Sequence, residues 1–323
     1  MKRLLIIRFS ALGDVAMLVP VVQALAAAYP DWEITVLSRR QTAPLFEGLA
    51  GNVRFFGADL KDRHHGIAGL NTLLQDIDYT QFDYVADMHN VLRSKYLRWR
   101  FLLAGKAVAT IRKGRFSKWW LTRTHCVDKP LPTTIDRYCR VLCRLGFAFD
   151  LPPVAHFSTH GTGVGIAPFA AHQGKIYPLN KMEEVVRLLS AKGEKIYLFG
   201  AGEKEKAVLH DWESKYPNVE SLAGRYTMAQ EIAVMRRLRL MLTMDSANMH
   251  LASIAGTRVL SVWGATHPAA GFLGYGQSEK DCIQRSLPCR PCSVYGNKPC
   301  RFSDYRCLDI PPAAIVKRIT HAQ

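Results

Sequence analysis

Three places in this 323-residue chain combine residue types and spacing that could do chemistry together. The first is Arg8-Phe9-Ser10-Ala11-Leu12-Gly13-Asp14, which follows an apolar strand and opens a helix. Gly13 would allow a tight loop and close approach of a substrate. A carboxylate there can act as general base on a hydroxyl, or it can merely cap the helix through a side-chain oxygen. The second is Met244-Asp245-Ser246-Ala247-Asn248-Met249-His250, again a strand-to-helix junction. Open amide donors and the positive end of the helix dipole make such a junction a diphosphate cradle, and Ser246 adds a hydroxyl. His250 falls one helical turn further in, on the side of Ser246. A capping Asp245 or Ser246 with a satisfied core histidine would give the same letters. The third is Pro168-Phe169-Ala170-Ala171-His172-Gln173-Gly174-Lys175, where Lys175 is either a point charge for a departing diphosphate or a solvated loop lysine.

Other groupings are less specific. In Gly200-Ala201-Gly202-Glu203-Lys204-Glu205, a carboxylate could hold a ribose hydroxyl pair, or simply sit at a charged helix start. Cys289, Cys292, Cys300 and Cys307 could surround a structural zinc ion. Their outer spacings are looser than a paired CxxC pattern, so reduced thiols packing a long loop are preferred, and no open coordination position suggests catalysis. Residues 112–123 interleave Arg112, Lys113, Arg115, Lys118 and Arg123 with Trp119 and Trp120. That mixture suits anionic lipid or a phosphorylated acceptor, single-stranded nucleic acid, or a plain solvated loop with its tryptophans turned inward.

The background composition narrows the classes. With 48% hydrophobic and 22% charged residues, wholesale disorder is excluded, and the length suggests two domains. A formal charge of +16 implies anionic partners without choosing among them. The longest charge-free apolar stretch, Val15–Tyr29, is shorter than the roughly 18 residues of a membrane span. Met1-Lys2-Arg3 before Leu4-Leu5-Ile6-Ile7 imitates a secretory signal, but Arg8 and Asp14 interrupt it; the expectation is a buried strand in a cytoplasmic protein.

Two series of alternating elements must position these residues. Strands are predicted at 4–8, 34–38, 84–88 and 108–111, with helices at 15–28, 67–77 and 91–103. After Asp150-Leu151-Pro152-Pro153, read as a linker, strands follow at 164–167, 195–199, 240–243 and 259–263. Helices are expected at 181–191, 203–215, 228–236 and 247–255, and a terminal one at 312–319. This order describes two doubly wound α/β domains with parallel sheets, whose ligands sit beyond the carboxyl ends of strands, in a cleft between the domains. No G-x-G-x-x-G follows a strand, which speaks against a dinucleotide-dependent oxidoreductase.

Ser10-x-x-Gly13-Asp14, Lys175 before Tyr177-Pro178, and Asp245-Ser246-x-x-x-His250 together resemble glycosyltransferase family 9, the ADP-heptose:lipopolysaccharide heptosyltransferases. Val262-Trp263-Gly264-Ala265-Thr266-x-Pro268 and Cys289-x-Pro291-Cys292 extend the resemblance in the same order over most of the chain. It implies a GT-B architecture, with residues 1–155 taking the acceptor and 156–323 the nucleotide sugar. It further implies inverting, metal-independent transfer of heptose from an ADP-heptose donor to lipid A–core. By this similarity Asp14 is the base and Lys175 neutralises the leaving diphosphate. Ser10, Gly13, Asp245, Ser246, Ala247 and His250 would hold the donor, with Glu203 or Glu205 on its ribose. Arg112, Lys113, Arg115 and Lys118 would meet an anionic glycolipid acceptor at the cytoplasmic face of the inner membrane. No cofactor is expected beyond the ADP-sugar, a structural zinc is allowed but not favoured, and nucleic acid is not an expected partner. The rival readings are a nucleic-acid-binding protein using residues 112–123, and a glycosyltransferase using another nucleotide sugar. The family usually has glycine where this chain has Ala247; the alanine is expected to be tolerated if its backbone is helical.

Overall fold

The computed structural model describes residues 2–152 and 161–321. The expected domain boundary at 155/156, and Pro153 of the expected linker, lie outside the described residues. The chain divides into two compact units, Met1–Lys113 with Thr134–Pro153, and Gly114–Thr133 with Val154–Gln323. Residues 114–133 therefore cluster with the second unit, although they precede the expected boundary.

The first unit contains strands β1 (Lys2–Ile7), β2 (Trp32–Arg39), β3 (Val53–Ala58), β4 (Tyr84–Asp87) and β5 (Ala107–Thr110). Its helices are α1 (Leu12–Ala16), α2 (Val19–Ala28), α3 (Gly66–Asp76) and α4 (Leu92–Leu103); α5 (Arg115–Thr124) belongs to the second unit, and α6 (Thr134–Cys143) returns to the first. All five strands are parallel in the order β3-β2-β1-β4-β5. Ile6 stands opposite Val36 on one side and Ala86 on the other. The uninterrupted apolar run Leu4–Ile7 is fully buried, as a central strand covered on both faces requires. The single helix expected over 15–28 is instead two. Pro20 lies in the first turn of α2, where its missing N–H costs nothing; inside a continuous helix it would remove a bond and clash. The break leaves α1 as a five-residue helix carrying Asp14.

One polar cluster ties the loop before α3 to that helix. Arg63 binds both oxygens of Asp76 at 2.7 Å, and His64 Nε2 lies 2.9 Å from Asp76 Oδ2. His64 Nδ1 accepts the Asp59 N–H at 2.9 Å, so Nε2 is the protonated, donating nitrogen. Arg63 first, then His64, holds the Asp76 carboxyl well below the usual carboxylate range. A depressed folded-state pKa stabilises above the unfolded value of about 4 and loses that contribution as pH falls toward the folded one. Thermal melts of Asp76→Asn should therefore lie below wild type at neutral pH and converge with it between about pH 4 and pH 2.

The second unit contains β6 (Val164–Ala167), α7 (Leu179–Ala191), β7 (Ile196–Leu198), α8 (Glu203–Lys215), β8 (Val219–Ser221) and α9 (Met228–Met235). These are followed by β9 (Leu240–Met244), α10 (Ala247–Ile254), β10 (Val259–Trp263), β11 (Cys282–Gln284) and α11 (Pro312–Thr320). The six strands are parallel in the order β11-β10-β9-β6-β7-β8. Strands β3, β8 and β11 and helices α5 and α6 were not anticipated. Each of these strands is at a sheet edge, where a short, partly polar segment carries little periodic signal. Tyr177, Trp212, Leu189 and Ile315 anchor the core of this unit. Among the described residues no helix is long and apolar enough to cross a membrane.

Candidate active site

In each unit the strand order reverses once, between β1 and β4 in the first and between β6 and β9 in the second. At such a switch point neighbouring loops diverge and leave a crevice at the carboxyl edge of the sheet. Asp14 and Lys175 each follow a strand that borders one of these points.

Beyond β1, Asp14 is the third residue of α1, and Ala11 rather than Asp14 occupies the cap position. The Asp14 carboxylate reaches back to accept the Ala11 N–H at 3.3 Å, and it is ion-paired with Arg8. Both contacts fall on Oδ2. Arg8 is buried and also donates to the Met88 carbonyl at 2.6 Å, so its guanidinium is held between the ends of β1 and β4. Tyr138 on α6 donates its hydroxyl to the Asp14 carbonyl at 3.0 Å and fixes the backbone of the short helix. Ser10 Oγ lies 3.3 Å from His89 Nε2. Burial, reinforced by the nearby Arg8 cation, pushes the His89 pKa down to about 3, so this imidazole is neutral and a poor proton acceptor at pH 7. At the end of β4, the buried Asp87 accepts the N–H groups of His89 and Asn90 at 2.9 and 2.8 Å, and it binds Ser94 and Arg98 at 3.2 Å. That hub sets the β4–α4 turn. Sequence reasoning missed Asp87, although it ends an apolar run just as Asp245 does.

The ends of β6, β9 and β10 converge in the second unit. Lys175 Nζ is 2.8 Å from Asp245 Oδ2, and Thr266 Oγ1 donates to the same oxygen at 2.8 Å. Asp245 is buried and the Lys175 side chain only 14% exposed, so this is a charged cluster set into the carboxyl edge of the sheet. Thr243 Oγ1 lies 3.2 Å from Ser246 Oγ. Ser246 is the residue before α10, yet its side chain does not cap the helix, and the first-turn amides keep their donor capacity. Ala247 is the first residue of α10 and adopts the helical backbone for which alanine needs no glycine-like freedom. Very close backbone approaches hold Lys175. A Cβ on Gly264 would come within 2.4 Å of the Gly174 carbonyl, and one on Gly296, at φ 76°, within 2.6 Å of Lys175 Cγ. Arg290, also buried, clamps the Gly264–Thr266 loop by donating to the Thr266 carbonyl at 2.8 Å. Thr266 and Arg290 were not singled out as site residues; both lie inside the motifs that carried the resemblance.

The remaining expected site residues are spread over both units. Ser10 and Gly13, expected among the donor contacts, lie in the first unit beside Asp14, not on the loops that carry Lys175 and Asp245. Glu203 is exposed and ion-paired with Lys206 at 2.8 Å, whereas Glu205 folds back to accept the Ala201 N–H at 2.8 Å. His250 is buried on α10. Arg112 and Lys113 belong to the first unit, and Arg115 opens α5 in the second. Lys118 corrects the expectation of a solvent-facing acceptor contact. It is buried, with its ammonium 4.2 Å above the Phe272 ring, because this side of α5 packs against the second unit. Residues 115–124 form a helix rather than a loop. Among the described residues no group of three or more His, Cys, Asp or Glu is placed to hold a metal ion. Cys292 Sγ donates to the Ala265 carbonyl at 3.7 Å, and Cys300 Sγ to Asp304 at 3.8 Å.

A family model described as glycosyltransferase family 9 (heptosyltransferase) matches residues 71–302. The chain belongs to this family and is a glycosyltransferase of the heptosyltransferase type. It is 24% identical over 276 residues to lipopolysaccharide heptosyltransferase 3 of Escherichia coli, covering 79% of this chain and 81% of the relative. It is 21% identical over 284 residues to the lipopolysaccharide core heptosyltransferase OpsX of Haemophilus influenzae, covering 83% and 80%. Among solved structures, E. coli heptosyltransferase WaaC with ADP aligns over 100% of both chains, with a TM-score of 0.72 and 16% identity. The family 9 glycosyltransferase of Veillonella parvula aligns over 99% of this chain and 97% of its own, with a TM-score of 0.75 and 19% identity. The architecture is thus of the GT-B type, built from two doubly wound Rossmann-like units.

Proposed function

We propose that this protein transfers a heptose from ADP-heptose to the lipid A–core of lipopolysaccharide, with inversion and without a metal ion. The observation that carries this reading is the Lys175–Asp245–Thr266 cluster beside the uncapped start of α10, at the switch point of the second sheet. Amide donors, a hydroxyl and one cation there match the charge that develops on a departing diphosphate. The names of the relatives support the sugar and the acceptor, and WaaC has been solved with ADP and with ADP-2-deoxy-2-fluoro heptose.

In this mechanism Asp14 accepts the proton of the acceptor hydroxyl. Arg8 and the Ala11 amide engage Oδ2, and Oδ1 is the oxygen assigned to that proton. The acceptor oxygen attacks the anomeric carbon as the bond from that carbon to the diphosphate oxygen breaks, so a single displacement inverts the configuration. Lys175 neutralises the diphosphate of ADP, while Ser246, the Ala247 amide and His250 bind its phosphates. Glu203 or Glu205 holds the ribose. Arg112, Lys113 and Arg115 meet anionic groups of the acceptor at the cytoplasmic face of the inner membrane, where the protein is peripheral.

A binding test needs no acceptor. With EDTA present, ADP at about a hundredfold excess over its Kd should stabilise the folded state by about 2.7 kcal/mol, read as a rise in Tm. A shift with UDP or GDP but not ADP would reassign the donor. A shift that EDTA abolishes would overturn metal independence.

A further inference from the structure

Residues 88–127 hold ten lysines and arginines and no aspartate or glutamate, and so contribute +10 toward the chain's net +16. Both helices within this stretch leave an apolar face uncovered. On α5, Phe116, Trp119, Trp120 and Arg123 fall at i, i+3, i+4 and i+7, a single stripe. The three aromatic side chains are 73%, 52% and 53% exposed, and their ring centroids lie 5.8 to 6.4 Å apart. On the other side of the helix Lys118 lies over the Phe272 ring and Leu121 is buried, so the stripe is presented by an anchored helix. On α4, Leu92, Trp99 and Leu103 are exposed at i, i+7 and i+11, flanked by exposed Arg93 and Lys95, while Leu97 and Phe101 fill the core.

We infer that the exposed aromatic face of α5 enters the headgroup region of an anionic bilayer. Aromatic rings and leucines settle at the boundary of headgroups and acyl chains, and flanking arginines and lysines draw them toward negative lipid. Single-stranded nucleic acid fits less well, because the α5 rings already pack on one another instead of standing apart as platforms for bases. The biological setting rests on the functional reading above, since an acceptor carrying lipid A is held in a membrane.

The test is co-sedimentation of the full chain with phosphatidylcholine vesicles, with and without phosphatidylglycerol. Binding should be at least about tenfold tighter to the anionic vesicles and weaken with salt. Trp99, Trp119 and Trp120 are exposed, whereas Trp212 and Trp263 are buried, so binding should shift tryptophan emission to the blue and brominated lipid should quench it. The variant Phe116→Ser/Trp119→Ser/Trp120→Ser should lose about tenfold or more in vesicle affinity while keeping transfer to an acceptor stripped of its acyl chains. Should the triple variant not fold, Trp119→Ser and Trp120→Ser separately should each lose a measurable part of both signals. Indifference to vesicle charge, unchanged binding by the variants, or self-association or oligonucleotide binding in place of vesicle binding would overturn the inference. Transfer to the soluble acceptor without vesicle binding removes the membrane surface and leaves the function standing; vesicle binding without transfer does the reverse.

Discussion

Asp14→Asn should lower kcat by about 10²–10⁴-fold, the range lost when a positioned general base is removed, with ADP affinity almost unchanged. The amide keeps the shape of the carboxylate and can still accept the Ala11 N–H that fixes the turn. What it loses is the capacity to take a proton. It also leaves the buried Arg8 guanidinium without its anion, so some stability is lost, up to about 3 kcal/mol. The catalytic and structural losses separate if turnover is measured well below the Tm of the variant and ADP binding is followed by calorimetry. His89 offers no substitute base, because burial and Arg8 hold it neutral and weakly basic. Turnover above about a tenth of wild type in Asp14→Asn would remove Asp14 from this role.

Lys175→Met should lower kcat by about 10²–10³-fold, because the cation acts on charge that grows as the diphosphate departs. The donor's KM should change less than kcat, since in the proposed reaction Ser246 and the amides of α10 would share the diphosphate in the ground state, whereas the added charge of departure falls to Lys175. Arginine should not rescue. The lysine stem runs against Gly296 with no slack, and a planar guanidinium needs more room than an ammonium. Stability complicates this variant, because Asp245 is buried and, among the described residues, would keep only Thr266 as a side-chain partner, at a cost of about 3–5 kcal/mol. The double variant Lys175→Met/Asp245→Asn removes the stranded charge. It should regain most of the lost Tm without regaining turnover. Recovery of turnover in the double variant would mean that Lys175 serves only to hold Asp245.

Much of this architecture was readable from local pattern. The apolar runs Leu4–Ile7, Val164–Ala167 and Val259–Trp263 are strands because a parallel strand covered on both faces needs little except apolar side chains. The helix over 203–215 was placed to the residue, its start marked by Gly202 and two glutamates in the first turn. Pattern failed where a neighbour decided. Val15–Ala28 looks continuous, yet Pro20 can begin a helix and cannot continue one, and this is what makes a separate short helix for Asp14. Residues 112–123 read as a basic loop because lysine, arginine and tryptophan do not show which face will be covered; Phe272, more than a hundred residues away, decides that Lys118 turns inward.

Sequence alone determined the two α/β series, the junctions at Asp14 and Asp245, and the family motifs, because each depends on residues adjacent along the chain. Tertiary structure alone decided that Lys175 would meet Asp245 and Thr266, since three loops from different parts of the chain come together only when β6, β9 and β10 pair side by side. It also decided that Cys292 would bond to the Ala265 carbonyl and Cys300 to Asp304. Spacing along a chain fixes which side chains are available, whereas coordination and ion pairing depend on the directions in which packed loops point them.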